Sequence, residues 1–404
     1  MRKLLIILCL TASSALLALN RSDNNTNKSV NDTYKDNCGP KKINCECYTP
    51  PFYNLKNDWS LSFDGDFLYW YARETNLSYA GRITTVRATT DPSVTTLVFC
   101  LDSLENFNTK WDPGFRVGLG WNSDCDGWDL HLDWTYMHNN NKNSTSTPIS
   151  TFSIPDEDES ALVNPWICTS FNPGSAGTNI FFTNITANWK LNFNSIDLDI
   201  GRKYWLSKCF NLRPYAGLRG AWTRTEFSTF STADRIFTTT PLTLSSEFFK
   251  DRFISKYWGV GLMGGLQPTW NFFSNIALFG NLGAALLWGD FEIRKDEDYF
   301  RLVPTGVIFV DYTNRARNDF YQMQAVLDLA IGLRWEETWD CERFRTALDI
   351  GWEHHIWFDH NHRFKTADSL FIPVAPTTLG FQSYAEATGT LGLGGLTARF
   401  RFDF

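Results

Sequence analysis

Beyond its first twenty positions the chain has no run of the roughly 20 apolar residues that a membrane helix needs, so a helical membrane protein is excluded. A basic excess is also missing. Lys and Arg number 37 against 44 Asp and Glu, a net charge of −7, which argues against nucleic acid as a partner. No Gly-x-Ser-x-Gly or comparable nucleophile context occurs, so no serine is prepared for covalent catalysis and an enzyme is not expected. The cysteines lack zinc-ribbon spacing, because Cys45-Glu-Cys47 is too tight and has no partner pair. No metal or cofactor is expected.

Aromatic residues are abundant instead: 16% of the chain, with 17 Trp, 14 Tyr and 33 Phe. Their placement is informative. From Trp128 to Tyr136 the sequence reads Trp-Asp-Leu-His-Leu-Asp-Trp-Thr-Tyr, apolar at even positions and polar at odd ones. That period of two puts the two sets on opposite faces of a β-strand. The apolar face ends in an aromatic on both sides, roughly 27 Å apart at about 3.4 Å per residue, as on the lipid face of a membrane barrel. A soluble sandwich with aromatics in its core is the competing reading of this one strand.

The rest of the chain favours the barrel. Residues 1–19 combine Met1-Arg2-Lys3 with an apolar stretch to Leu19, the pattern of a cleaved secretory signal peptide. Residues 20–58 are rich in Asn, Asp, Lys and Ser and read as a flexible periplasmic segment. From 59 to 404 amphipathic strand signals recur: Trp59–Ala72, Phe115–Trp121, Trp128–Tyr136, Trp189–Ile200, Leu212–Arg224, Tyr257–Leu266, Ile276–Ile293, Tyr321–Trp335, Phe344–Trp357 and Ala385–Phe404. On the fourth of these the apolar parity changes from Trp189, Leu191 and Phe193 to Ile196, Leu198 and Ile200, which predicts a bulge or tight turn at Asn194-Ser195. Connections alternate between short and long, with long ones at Glu74–Asp112, His138–Ile180, Phe227–Arg252, Lys295–Phe320 and Phe358–Tyr384. Short periplasmic turns and long extracellular loops are the asymmetry of outer-membrane barrels. These ten clear strands make an even number, and weaker signals at Val94–Leu101 and Val303–Tyr312 raise the expected total to about 12–16. The expected fold is therefore all-β, a transmembrane antiparallel β-barrel in the bacterial outer membrane. Phe404 at the end of an alternating strand matches the terminal aromatic read by the insertion machinery of that membrane.

Three segments resemble the chlamydial major outer membrane protein-like porins and the related pore-forming outer membrane proteins of legionellae. They are Phe63-Asp-Gly-Asp-Phe-Leu-Tyr-Trp-Tyr-Ala-Arg-Glu74, Trp189-Lys-Leu-Asn-Phe-Asn-Ser-Ile-Asp-Leu-Asp-Ile-Gly-Arg202 and Leu212-Arg-Pro-Tyr-Ala-Gly-Leu-Arg-Gly-Ala-Trp222. The resemblance implies a surface-exposed general porin, often cysteine-rich and disulfide-linked in the envelope, and supplies no catalytic or ligand motif. Expected partners are outer-membrane lipid, small hydrophilic solutes, further copies of the chain (a trimer, by analogy with porins) and other cysteine-rich envelope proteins. A plugged adhesin or structural barrel and a phospholipase-type hydrolase are the alternatives.

The polar strand faces supply the candidate pore-lining residues Arg116, Asp129, His131, Asp133, Arg219, Asp328, Arg334, Asp349, Arg399 and Arg401. Arg213, Arg345, Asp64, Asp66 and Glu353 share those faces. Opposed charges of this kind either select ions through a transverse field or neutralise one another in a solvated lumen. His131 lies two residues from both Asp129 and Asp133 and reads as a lumen histidine between carboxylates. His354, His355, His360 and His362 read as a strand end and a hydrated loop rather than a metal site. Removal of the signal peptide takes Cys9 with it and leaves eight of nine cysteines in an oxidising compartment. Cys125, Cys209 and Cys341 fall in short turns and Cys38, Cys45 and Cys47 in the tail, so all six are disulfide candidates on the periplasmic side.

Overall fold

The computed structural model describes residues 60–91, 94–122, 128–147, 160–167, 181–207, 209–237, 243–273, 275–302, 308–339, 343–374 and 377–404. The signal peptide and the segment 20–58 lie outside the described residues, as do Cys38, Cys45, Cys47, Cys125 and Cys341. In chain order the strands are β1 (Ser60–Glu74), β2 (Ala80–Asp91), β3 (Val94–Glu105), β4 (Trp111–Asn122), β5 (Trp128–Ser146), β6 (Ser160–Val163), β7 (Asn184–Arg202), β8 (Tyr204–Trp205), β9 (Phe210–Phe237), β10 (Thr243–Asn271), β11 (Ile276–Leu302), β12 (Ile308–Trp339), β13 (Phe344–Val374) and β14 (Thr377–Asp403).

The main sheet closes on itself. Its order is β1-β4-β5-β7-β9-β10-β11-β12-β13-β14, and β14 pairs back onto β1. Every neighbour in that ring is antiparallel. Of the 11 strands in the sheet the two-residue β8 is a side branch on β9, which leaves ten in the ring among the described residues. Closure removes the edges that a lipid-exposed sheet could not satisfy.

The expectation of about 12–16 strands is corrected by where the extra strand signals go. Val94–Leu101 lies in β3, which belongs to a separate three-stranded sheet, β3-β2-β6. From Ile308 the second signal is simply the start of β12, paired with β11. The segments Phe227–Arg252, Lys295–Phe320 and Phe358–Tyr384 are not loops in the main. They are continuations of barrel strands that run to 28 residues in β9 and 32 in β12.

The physical cause is the change of solvent along each strand. On β10 the outward side chains Trp270, Leu266, Leu262, Val260 and Trp258 are exposed, with an indole at each end. Twelve steps at about 3.4 Å, tilted by about 45°, span about 29 Å, close to the height of an apolar membrane band. Past Trp258 the outward positions turn mainly polar, Lys256, Arg252 and Lys250 with Ile254 among them, while the inward ones gain Tyr257, Phe253 and Phe249, all buried, beside Ser255 and Asp251. Outside the bilayer the wall faces water, so polarity inverts. Apolar residues move to the inside.

The same inversion removes the predicted bulge at Asn194-Ser195. β7 keeps one unbroken register with β5 and with β9 through that point. Phe193 points inward into a buried core, and Ile196 points outward to lipid. An irregularity occurs instead in β13. There the pairing with β14 shifts between Trp357 and Asn361, and Asp359 takes a left-handed φ of 51°.

Candidate functional site

Strand alternation sends all ten candidate lumen residues to the inner face of the barrel: Arg116 on β4, Asp129, His131 and Asp133 on β5, Arg219 on β9, Asp328 and Arg334 on β12, Asp349 on β13, Arg399 and Arg401 on β14. They are not a solvated wall. Arg116, Arg219, Asp328 and Asp349 are buried, the other six are partly buried, and all ten are locked in ion pairs, because ten strands enclose little more space than long side chains can fill.

At mid-height the pairs join into a bar across the lumen. Arg399 donates to both oxygens of Asp66 at 2.9 Å, and Arg116 reaches Asp66 from the other side at 2.9 Å. Arg116 also donates to Glu353 at 2.8 and 3.2 Å and to the Thr135 hydroxyl at 3.0 Å. His355 then sets one ring nitrogen 3.2 Å from Glu353 and the other 2.7 Å from Asp328. Arg219 donates to Asp328 at 2.7 Å and to both oxygens of Asp197 at 2.8 Å. The bar therefore runs from β14 and β1 through β4, β13, β12 and β9 to β7, and two of its links skip intervening strands. Arg116 to Glu353 bypasses β1 and β14, and Arg219 to Asp328 bypasses β10 and β11.

Nearer the periplasmic end the pairs reach across no more than one intervening strand. Arg213 holds Asp129 at 2.8 Å and Asp199 at 2.5 Å, Arg334 holds Asp349 at 2.7 and 2.8 Å, and Arg345 and Arg401 share Asp403. His131 lies between Asp64, at 2.8 Å, and Asp133, at 3.0 Å. The expected neighbour Asp129 is instead taken by Arg213. Donor atoms of Asp64, His131 and Asp133 all lie within 4.8 Å of one another, a spacing that suits a cation. Here, however, both ring nitrogens already face a carboxylate. Gly118 makes this crowding possible. A Cβ there would lie 2.3 Å from Asp64 Oδ2 and 2.5 Å from Asp133 Oδ1.

Above the bar lies an aromatic layer. Trp70 donates to Thr397 at 3.0 Å and packs on His355 with ring centres 4.8 Å apart. Phe193 on β7 meets Trp357 on β13 at 5.4 Å, and Tyr257 meets Phe291 at 4.6 Å. His360 sits among them, 5.4 Å from Trp357 and 5.0 Å from Tyr257, and accepts or donates at 2.9 Å to Thr223 and 3.0 Å to Gln324. Higher still, Glu74 bridges Arg363 at 2.6 Å and the Trp189 indole at 3.1 Å, and Trp166 enters from the segment after β6 to pack on Phe227 and Phe253.

His360 and His362 are thus not in a hydrated loop. Both are buried on the continuation of β13. His354 and His355 point to opposite faces as their adjacency requires, and the four histidines form no joint donor set. Asp197, Asp199 and the plug residues Trp70 and Trp357 were not among the expected site residues. For the two aspartates the signal was present, since they alternate with Ile196, Leu198 and Ile200. Of the disulfide candidates only Cys209 is described, half-buried in the short turn before β9, where its carbonyl accepts from the Asn271 amide at 2.7 Å.

Residues 51–404 match the family described as Legionella pneumophila major outer membrane protein precursor. No curated protein matches the sequence. Among solved structures, the outer membrane protease OmpT from Escherichia coli is similar at 11% identity over 86% of this chain and 99% of its own, with a TM-score of 0.32. A Pseudomonas aeruginosa FadL homologue is similar at 7% identity over 88% of this chain and 93% of its own, with a TM-score of 0.22.

Proposed function

Since the chain belongs to the Legionella major outer membrane protein family, a family of the bacterial outer membrane, we propose that it is a closed outer-membrane barrel with a structural and surface-presenting role. One observation carries this reading: the lumen is spanned twice, by the charged bar and by the aromatic layer. In that layer Trp357 is 1% exposed, Phe291 0% and Phe193 4%, so these rings pack against protein rather than against a water-filled channel. The closed interior supports strands that continue well beyond the membrane band as a rigid, water-facing β-wall at the cell surface. Reconstitution into planar bilayers is expected to give a silent membrane. Regular stepwise conductance would overturn the proposal.

Passive diffusion of small hydrophilic solutes and ions is the second reading, and it too has an observation in its favour. The periplasmic half of the lumen is partly wet, with the Arg334 and Arg401 side chains 21% and 24% exposed. The bar consists of side chains alone, so a rotamer change could part it. In this reading Arg116→Glu with Arg334→Glu shifts selectivity towards cations, and unchanged reversal potentials in a salt gradient exclude those residues from a conducting path. Neither reading includes covalent chemistry. Phospholipid hydrolysis in detergent micelles is expected to stay at background.

A further inference from the structure

The outer wall carries a second feature, where the strands leave the membrane. Going outward along β9 the exposed series is Leu218, Trp222 and Arg224, and along β10 it is Leu262, Val260, Trp258 and Lys256. The register sets Trp222 directly opposite Trp258 and Arg224 directly opposite Lys256, with Asn192 of β7 on the other side of Arg224. Like charges facing each other across a strand pair repel, and an anion placed between them offsets that repulsion.

Two of the nearby carboxylates are already committed. Glu226 is held by Arg252 at 2.9 Å. Glu292 takes Lys256 at 3.1 Å, is also paired with Arg294, and has Arg317 at 3.7 Å. Arg224 makes no hydrogen bond or ion pair among the described residues. A cavity of about 320 Å³ opens at this point, lined by Trp222, Trp258, Arg224, Lys256, Asp290 and Glu292 among others. The lining thus carries Arg224 and Lys256 against Asp290 and Glu292, and among these only Lys256 and Glu292 form a salt bridge, which leaves the Arg224 guanidinium and the remaining Lys256 donors for a further anion.

We infer that this cavity binds a phosphate group of the phosphorylated glycolipid that forms the outer leaflet. Height and chemistry both select that occupant. The two indoles mark the interface between hydrocarbon and headgroups. Below them Leu218, Val260 and Leu262 offer an apolar wall for acyl chains, and two residues further along each strand the two cations stand at headgroup level. A phosphomonoester brings about −1.5 to −2 charge and three acceptor oxygens, enough to bridge Arg224 and Lys256 by charge-assisted hydrogen bonds. The inference is independent of whether the lumen conducts.

The test uses the full chain purified in detergent and titrated with mixed micelles of bisphosphorylated lipid A, dephosphorylated lipid A or phosphatidylglycerol, and separately with inorganic phosphate. Wild type is expected to prefer the phosphorylated glycolipid, and Arg224→Glu with Lys256→Glu to weaken it by about tenfold or more, the loss of one or two charge-assisted contacts. Arg224→Lys should retain most of the affinity. Arg315→Glu, a 76% exposed cation elsewhere on the outer wall, should leave it unchanged. Heat-modifiable gel mobility identifies variants that have folded. Equal affinity for the dephosphorylated lipid or for phosphatidylglycerol, full competition by inorganic phosphate, or wild-type affinity in the folded double variant would each overturn the assignment.

Discussion

Arg116 on β4 grips Glu353 on β13 with two hydrogen bonds, at 2.8 and 3.2 Å, although the residues lie 237 positions apart and two strands separate them around the wall. The same guanidinium holds Asp66 on β1 at 2.9 Å. The pair thus ties walls that backbone hydrogen bonding does not join, and it does so where both partners are buried.

Arg116→Ala is therefore expected to destabilise the barrel by about 3–5 kcal/mol, because it leaves Glu353 buried with only the His355 ring beside it and Asp66 with Arg399 alone. Replacing both partners by apolar residues of similar size, Arg116→Met with Glu353→Leu, should recover much of the loss, since the cost lies in the unpaired charge. Urea unfolding of refolded protein, read by gel mobility, measures both. A single-variant loss below about 1 kcal/mol would show that water reaches the bar freely.

Closure by two layers makes a separate prediction about conductance. Arg116→Ser with Glu353→Ser cuts the bar but leaves Trp357, Phe193, Tyr257 and Phe291 in place above it. That variant is expected to stay silent in planar bilayers. Adding Phe193→Ala and Trp357→Ala should then produce steps. If the bar variant alone conducts, the aromatic layer does not seal the lumen.

The height of the membrane on the wall can be mapped on β9. Leu218 points outward within the apolar band and is 50% exposed, while Ser228 points outward beyond Trp222. Leu218→Arg should cost about 2–4 kcal/mol of barrel stability in lipid, and Ser228→Arg less than about 1 kcal/mol. Refolding yields in lipid vesicles compare the two. Equal penalties would mean that the membrane band extends further up the barrel than the tryptophans indicate.

The strands of the membrane zone were legible because lipid outside and charge inside write a clean period of two, as in Trp128–Tyr136. Beyond the girdle the code inverts without any change in backbone. In β10, Lys256, Arg252 and Lys250 face water while Phe253 and Phe249 fill the interior, so a reader expecting lipid outside takes the stretch for loop. Ring size was not legible for the same reason, since β2 and β3 carry strand signals yet, among the described residues, pair only with one another and β6. The charged residues of the lumen were found, but not who pairs with whom. Nothing in the sequence connects Arg219 with Asp328, 109 positions on, because that contact exists only once the ring has closed.

The inversion on β7 gives the last prediction. Phe193 and Ile196 are three residues apart on a strand with no bulge between them, so they must face opposite ways. Phe193 is buried against Trp357 at 5.4 Å, and Ile196 is 40% exposed on the outer wall. Phe193→Ala opens a cavity in a packed core and is expected to cost about 3–5 kcal/mol. Ile196→Ala removes a side chain from lipid, where hydrocarbon replaces it at little expense, and should cost less than half as much. Unfolding in urea, with both variants in the same lipid, gives the comparison. The reverse order of penalties would place Ile196 in the core, which needs a one-residue slip between Phe193 and Ile196 and would restore the bulge that the sequence pattern suggests.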